Sequence, residues 1–149
     1  FRRRLPTLNR ADLLKSYRET QIKTANQGRL VVMLYDGAIR FINQALDGLL
    51  EERRKVDRIS NDILKAQDIV AELMVSLDFD RGGQIAHNLF SLYMYMNRRL
   101  LDANISKETI PLNEVRSLLT ELRSAWAEVA ERRGVEQAVG GAGGVNLAG

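Results

Sequence analysis

The sequence predicts an all-α protein: an antiparallel up-down four-helix bundle with a short N-terminal helix and a flexible Gly-rich C-terminal tail. Three observations carry this expectation. Apolar residues recur at helical spacing over four long stretches. The two prolines, Pro6 and Pro111, interrupt none of those stretches. The joins Arg54–Val56, Phe79–Arg81 and Ile105–Ile110 are short or polar, which places successive helices antiparallel.

Taken in order, residues 1–10 are expected to be a mobile segment, and Ala11 to Lys23 a shorter helix around Tyr17 and Ile22. The next stretch, Leu30 to Phe41, reads locally as two β-runs about an Asp36-Gly37 turn. A wider window decides otherwise. Leu30, Leu34, Ala38, Phe41, Ala45 and Leu49 keep helical spacing through that pair, and Thr24-Ala25-Asn26-Gln27 has the form of a capping box. A helix over approximately 26–53 follows, with Gly37 inside it at a cost of about 1 kcal/mol relative to alanine. Close approach of another backbone would offset that cost. A second helix, 57–78, carries Ile59, Ile63, Ala66, Val70, Leu73 and Leu77. A third, 82–104, carries Ile85, Leu89, Leu92, Met96, Leu100 and Ala103, with Asp80 expected as its cap. The fourth, 111–133, opens on Pro111 and carries Leu112, Val115, Leu119, Leu122, Trp126 and Val129. Residues 11–133 thus form one bundle domain, and 134–149 read as a flexible tail.

Composition removes several classes of function. With no cysteine, disulfides and thiolate metal sites are excluded. His87 is the one histidine and falls opposite its helix's core stripe, so no metal ion or other cofactor is expected. Asp78 to Gly83 has the opening of a calcium loop, but Gly82 and Leu89 stand where oxygen ligands belong. Gly140 to Gly144 lacks the Lys-Ser/Thr of a phosphate loop. No catalytic constellation can be assigned, so the chain does not read as an enzyme. Lys and Arg exceed Asp and Glu by 22 to 19, without a basic stripe interleaved with aromatics, so no nucleic-acid partner is expected. No apolar run approaches the roughly 18 residues of a membrane span. The N-terminal arginines lack the apolar core and cleavage site of a secretory signal. A cytoplasmic domain is the resulting expectation.

Two helices carry more apolar surface than a bundle requires. Beside the first core stripe stand Val32, Tyr35, Ile39, Ile42 and Leu46; beside the third stand Ala86, Phe90, Met94 and Leu101. These lie mostly 80° to 160° around from the core direction at about 100° per residue. Apolar surface that survives folding marks a partner site, and grooves between helices suit an amphipathic helix of another chain. The expected partner surface is therefore Val32, Tyr35, Ile39, Ile42, Leu46, Phe90, Met94 and Leu101. The same seams could instead pair copies of this chain, as a structural homo-oligomeric bundle or adaptor.

The blocks Tyr17, Thr24-Ala25, Met33-Leu34-Tyr35-Asp36-Gly37, Lys65 to Leu73, Tyr95 to Leu100, Ala103-Asn104 and Ala125-Trp126 resemble, in order and spacing, the FliS family of flagellar secretion chaperones. That resemblance covers about Tyr17 to Arg133. It implies a helical bundle in the bacterial cytosol that binds the disordered C-terminal segment of flagellin, prevents premature polymerisation and delivers it to the flagellar type III export apparatus. It further implies contacts with export-gate components, and a monomer or weak homodimer is expected. In the family, the segment around the residue matching Tyr17 can lie over the binding surface and give way to flagellin, which makes Tyr17 and Ile22 the candidate displaceable segment. Relatives often carry Asn-Pro-Tyr just before that tyrosine, where this chain reads Asp12-Leu13-Leu14.

Overall fold

The computed structural model describes the backbone of residues 27–143 and the side chains of residues 27–132. The expected N-terminal segment and short helix, with Tyr17 and Ile22, and the last six residues of the tail lie outside the described residues. Four helices fill the described chain: α1, Gln27–Leu50; α2, Val56–Val75; α3, Phe79–Ser106; and α4, Thr109–Gly143. No strand occurs among the described residues, and no helix there is long and apolar enough to cross a membrane. Met33–Leu122 form one compact unit; the described residues before and after it belong to a second.

Within Met33–Leu122 the pairings fix an antiparallel bundle. Gly37 of α1 faces Ile69 of α2, and Gly48 faces Ile59, so numbers fall on one helix as they rise on the other. Asn104 of α3 reaches the carbonyl of Ser60 on α2, and seven residues earlier Asn97 meets Gln67. Glu114, in the second turn of α4, accepts bonds from Tyr95 and Arg99 of α3. Arg116 of α4 donates to Asn43 Oδ1 on α1 at 2.8 Å. These polar bonds fix direction and register, while the apolar core beneath supplies most of the favourable free energy.

That core is Tyr35, Ala38, Ile42, Ala45, Leu46 and Leu49 of α1; Ile59, Ile63, Ala66, Val70 and Leu73 of α2; Ala86, Tyr93, Met96, Leu100 and Ala103 of α3; and Leu112, Val115 and Leu119 of α4. Leu30, in the second unit, is also buried. The α2 stripe is the one expected, save that Leu77 lies past the helix end and is half-buried. On α3 the expected stripe holds at Met96, Leu100 and Ala103, but upstream Ala86 and Tyr93 are buried while Leu89 and Leu92 are half-buried and Ile85 is 69% exposed. On α4 the stripe fades: Leu122 and Trp126 are half-buried and Val129 is exposed.

Helix ends show the local chemistry. Asp78 caps α3, its Oδ1 accepting the Arg81 N–H at 3.1 Å, two residues before the expected cap Asp80. After a single turn the helix kinks at Gly83, whose φ of 53° and ψ of −127° are open only to glycine. Lys107 closes α3 in the left-handed region, its N–H bonded to the Ala103 carbonyl at 2.7 Å and its ammonium to Asn104. The α4 backbone stays helical to Gly143, ten residues beyond the expected end at 133. No proline stops the helix in that stretch, although each interior glycine costs about 1 kcal/mol relative to alanine.

The interior glycine of α1 admits a side chain rather than a backbone. A Cβ on Gly37 would lie 3.1 Å from Ile69 Cδ1; one on Gly48, a full three turns along the same face, would lie 2.9 Å from Ile59 Cγ1. The first neighbour is a chain end that can turn aside; the second is the stiff root of a β-branched side chain. Gly48→Ala is expected to destabilise by about 1–2 kcal/mol, its helix-propensity gain overridden by overpacking, whereas Gly37→Ala stays within about 1 kcal/mol of the parent. Urea unfolding of both variants measures the contrast.

Glu114 generates a second expectation. The Tyr95 hydroxyl at 2.6 Å, then the Arg99 guanidinium at 2.7 Å, hold its carboxyl below the ordinary value of 4.5. Its contribution to stability is therefore complete above 4.5 and is lost as pH falls through the depressed value. Glu114→Gln should be less stable than the parent at about pH 7 and lose less on acidification below about pH 4, read from unfolding midpoints at both values.

Candidate functional site

The seam between α2 and α3 is set by two reciprocal bonds. Gln67 Nε2 donates to the Asn97 carbonyl at 3.2 Å, and Asn97 Nδ2 donates to the Gln67 carbonyl at 3.4 Å. Measured from Gln67 at about 100° per residue, the α2 core residues Ile63 and Val70 turn roughly 40° to 60° one way. Ala71, Leu64 and Val75 turn roughly 40° to 80° the other way. The same holds on α3 from Asn97: Tyr93 and Leu100 turn inward, while Phe90, Leu101, Met94 and Ile105 turn roughly 20° to 80° outward. The two outward flanks lie on one side of the helix pair. Leu64, Met94 and Leu101 are 50–51% exposed, Val75 66% and Ile105 75%.

The result is a shallow apolar groove along α2 and α3, with Leu64 and Leu101 near one end and Val75 and Phe90 near the other. Eleven residues of α2 separate Leu64 from Val75, a span of roughly 16 Å, or three helical turns. Asp68 and Arg98 stand exposed on opposite rims. At the Val75 end the Phe79 ring packs against Phe90 and His87, with centroids 5.9 Å and 4.9 Å away. His87 is exposed, as its position opposite the core stripe predicts, and its Nδ1–H donates to the Gly83 carbonyl at 2.9 Å.

The sequence-predicted residues divide. Phe90, Met94 and Leu101 come together on the α3 side of this groove. Tyr35, Ile42 and Leu46 do not: they are buried to 0%, 0% and 8% exposure and belong to the core. The reason is the number of neighbours. All three other helices meet α1: α2 through Ile69 at Gly37, α3 through Tyr93, whose hydroxyl bonds that of Tyr35, and α4 through Arg116 at Asn43. That is an arc of roughly 240°, and it consumes the second seam. Val32 and Ile39 are half-buried on the same helix. The sequence reading missed Leu64, Ala71 and Val75. Their recurrence at i, i+7 and i+11 was the available signal, beside a core stripe that accounted for α2 by itself.

Other concavities carry less chemistry. A cleft of about 330 Å³ near the α1–α2 join is lined by Asp47, Glu51 and Asp62 together with Lys55 and Arg58. Burial raises the Asp62 carboxyl above its ordinary range, and Lys65 and Arg58 pull it partly back. Three carboxylates meet two cations there, with no nucleophile placed beside a base. Among the described residues no group of three His, Cys, Asp or Glu side chains is placed to hold a metal ion.

The family model for flagellar protein FliS matches residues 10–133. The chain belongs to the FliS family of flagellar secretion chaperones. It is 34% identical over 116 residues to the flagellar secretion chaperone FliS of Bacillus subtilis, covering 78% of this chain and 84% of the relative. It is 40% identical over 108 residues to FliSB of Pseudomonas aeruginosa, covering 72% and 84%. The Salmonella typhimurium FliS is 33% identical over 120 residues, covering 80% and 87%. In this FliS-family chain the matched region contains the whole groove.

Groove and core should respond oppositely to substitution. Met94→Glu and Leu101→Glu are expected to change unfolding free energy by no more than about 0.5 kcal/mol, whereas Tyr35→Ala should cost about 3–5 kcal/mol. Chemical denaturation of the three variants distinguishes partner surface from core.

Proposed function

We propose that this protein is a cytoplasmic flagellar export chaperone that holds the C-terminal segment of flagellin. The carrying observation is the exposed apolar groove between α2 and α3 in a chain of this family. Leu64, Ala71, Val75, Phe90, Met94 and Leu101 offer an apolar strip three turns long, the form that accepts an amphipathic helix through anchors at i, i+3, i+4 and i+7. A disordered segment folding into it spends about 2–5 kcal/mol on ordering, and burial of its apolar face against the groove offsets that cost. Held this way, the segment is withheld from flagellin's own subunit contacts, so the client stays unpolymerised until the export apparatus takes it. Binding requires no cofactor, and exchange to export-gate components releases the client by competition. Tyr17 and Ile22 belong to the segment proposed to lie over the surface and yield to flagellin.

Calorimetry with a synthetic peptide of flagellin's C-terminal segment tests this reading, with circular dichroism of the mixture. The peptide should bind at micromolar concentration or below and gain helicity, and Met94→Glu should weaken binding at least about tenfold, or 1.4 kcal/mol. No binding at high micromolar concentration overturns the reading. So does a persistent dimer of this chain that buries Met94 and Leu101, seen by sedimentation across a concentration series.

A further inference from the structure

The groove is open at its Leu101 end, where Ile105 continues the strip, and obstructed at the other. Phe79 stands four residues beyond Val75, in the one turn of α3 that precedes the kink. Because Gly83 leaves the helical path, that turn does not continue the line of the helix. Phe79 instead lies edge-on to Phe90 and over His87. Both partners sit on the outward flank of α3, roughly 20° and 80° from Asn97. The Phe79 ring therefore occupies the strip along which a bound helix would otherwise run on. His87 braces the arrangement, since its Nδ1–H is committed to the Gly83 carbonyl at 2.9 Å. The ring is 40% exposed, so it presents an apolar face to whatever abuts it.

We infer that Phe79, folded back at Gly83 onto His87 and Phe90, is an end-stop that sets the register of the helix bound in the α2–α3 groove. This inference rests on the groove being the client site. A uniform apolar strip would accept an amphipathic helix at several offsets one turn apart, because anchors repeat every three to four residues. A wall at one end removes that degeneracy: the helix that fills the groove and abuts Phe79 buries more surface than any slipped alternative. Phe79 is thus a positioning residue for the client, acting on where it docks more than on how strongly.

The chain has no cysteine, so a single one can be placed at will. Ser91→Cys puts it on the exposed rim beside Met94. A set of flagellin C-terminal peptides, each with one cysteine at a successive position, is then mixed with the full chain and disulfide yield read at each position. The parent should give one sharp maximum. Phe79→Ala should bind within about threefold of the parent while its maximum broadens or moves by about three to four residues, one helical turn. Phe79→Tyr should restore the parent profile, and Gly83→Ala, which re-aims the first turn while keeping the ring, should reproduce the alanine profile. A sharp, unmoved maximum in both folded Phe79→Ala and Gly83→Ala overturns the end-stop while leaving the groove assignment intact. Failure of the parent to bind any peptide overturns the groove assignment and the end-stop with it.

Discussion

The reciprocal bonds between Gln67 and Asn97 hold the geometry on which everything else in this protein depends. Each amide nitrogen donates to the other residue's backbone carbonyl, so α2 and α3 are tied at one level, and Asn104 with Ser60 repeats the tie seven residues on. A slip of α2 by one residue would turn its side chains by about 100° and carry Leu64 and Val75 out of line with Leu101 and Phe90. Amide bonds are directional where apolar packing is not, so this register is set by polar groups within a seam whose free energy is mainly apolar. The arrangement leaves the Asn97 Oδ1 buried without a partner among the described residues. A buried acceptor of that kind costs about 1–3 kcal/mol, a loss that the two bonded carbonyls help to offset.

A bundle helix has a budget of about 360° of surface, and the neighbours decide how much remains. On α1 they take so much that Tyr35 and Ile42 go inside, even though a helical wheel sets them apart from Leu34 and Ala38. On α3 they take from Asn97 through Tyr93 and Met96 to Arg99, and the rest stays exposed. Two helices with similar patterns in the sequence thus end with opposite roles for their second seams. Phe41, expected in the α1 core, is half-buried, with the Lys65 ammonium and Arg40 guanidinium over its ring.

The four long helices, their direction and the α2 core were legible from spacing, because period and join length are local properties of the chain. Half the candidate site was not, because exposure depends on how many helices a face meets. The wheel gives an angle for Tyr35 but cannot show that Tyr93 stands opposite it. Likewise Asp78 and Asp80 are equally good caps on paper; the choice between them follows from Gly83, whose kink allows a separate first turn. The family resemblance could name a client, but it could not show that α2 contributes Leu64 and Val75 to the surface.

The separation of the two arcs of α3 bears on how such a protein can change over generations. Met94 and Leu101 share a helix with Tyr93 and Leu100, yet substitutions at the first pair leave the interior untouched, whereas the second pair is constrained by close packing. On the function proposed above, partner choice and foldability are written on neighbouring positions of the same segment. A lineage whose exported subunit drifts in sequence can follow it by altering outward residues one at a time, without passing through unfolded intermediates.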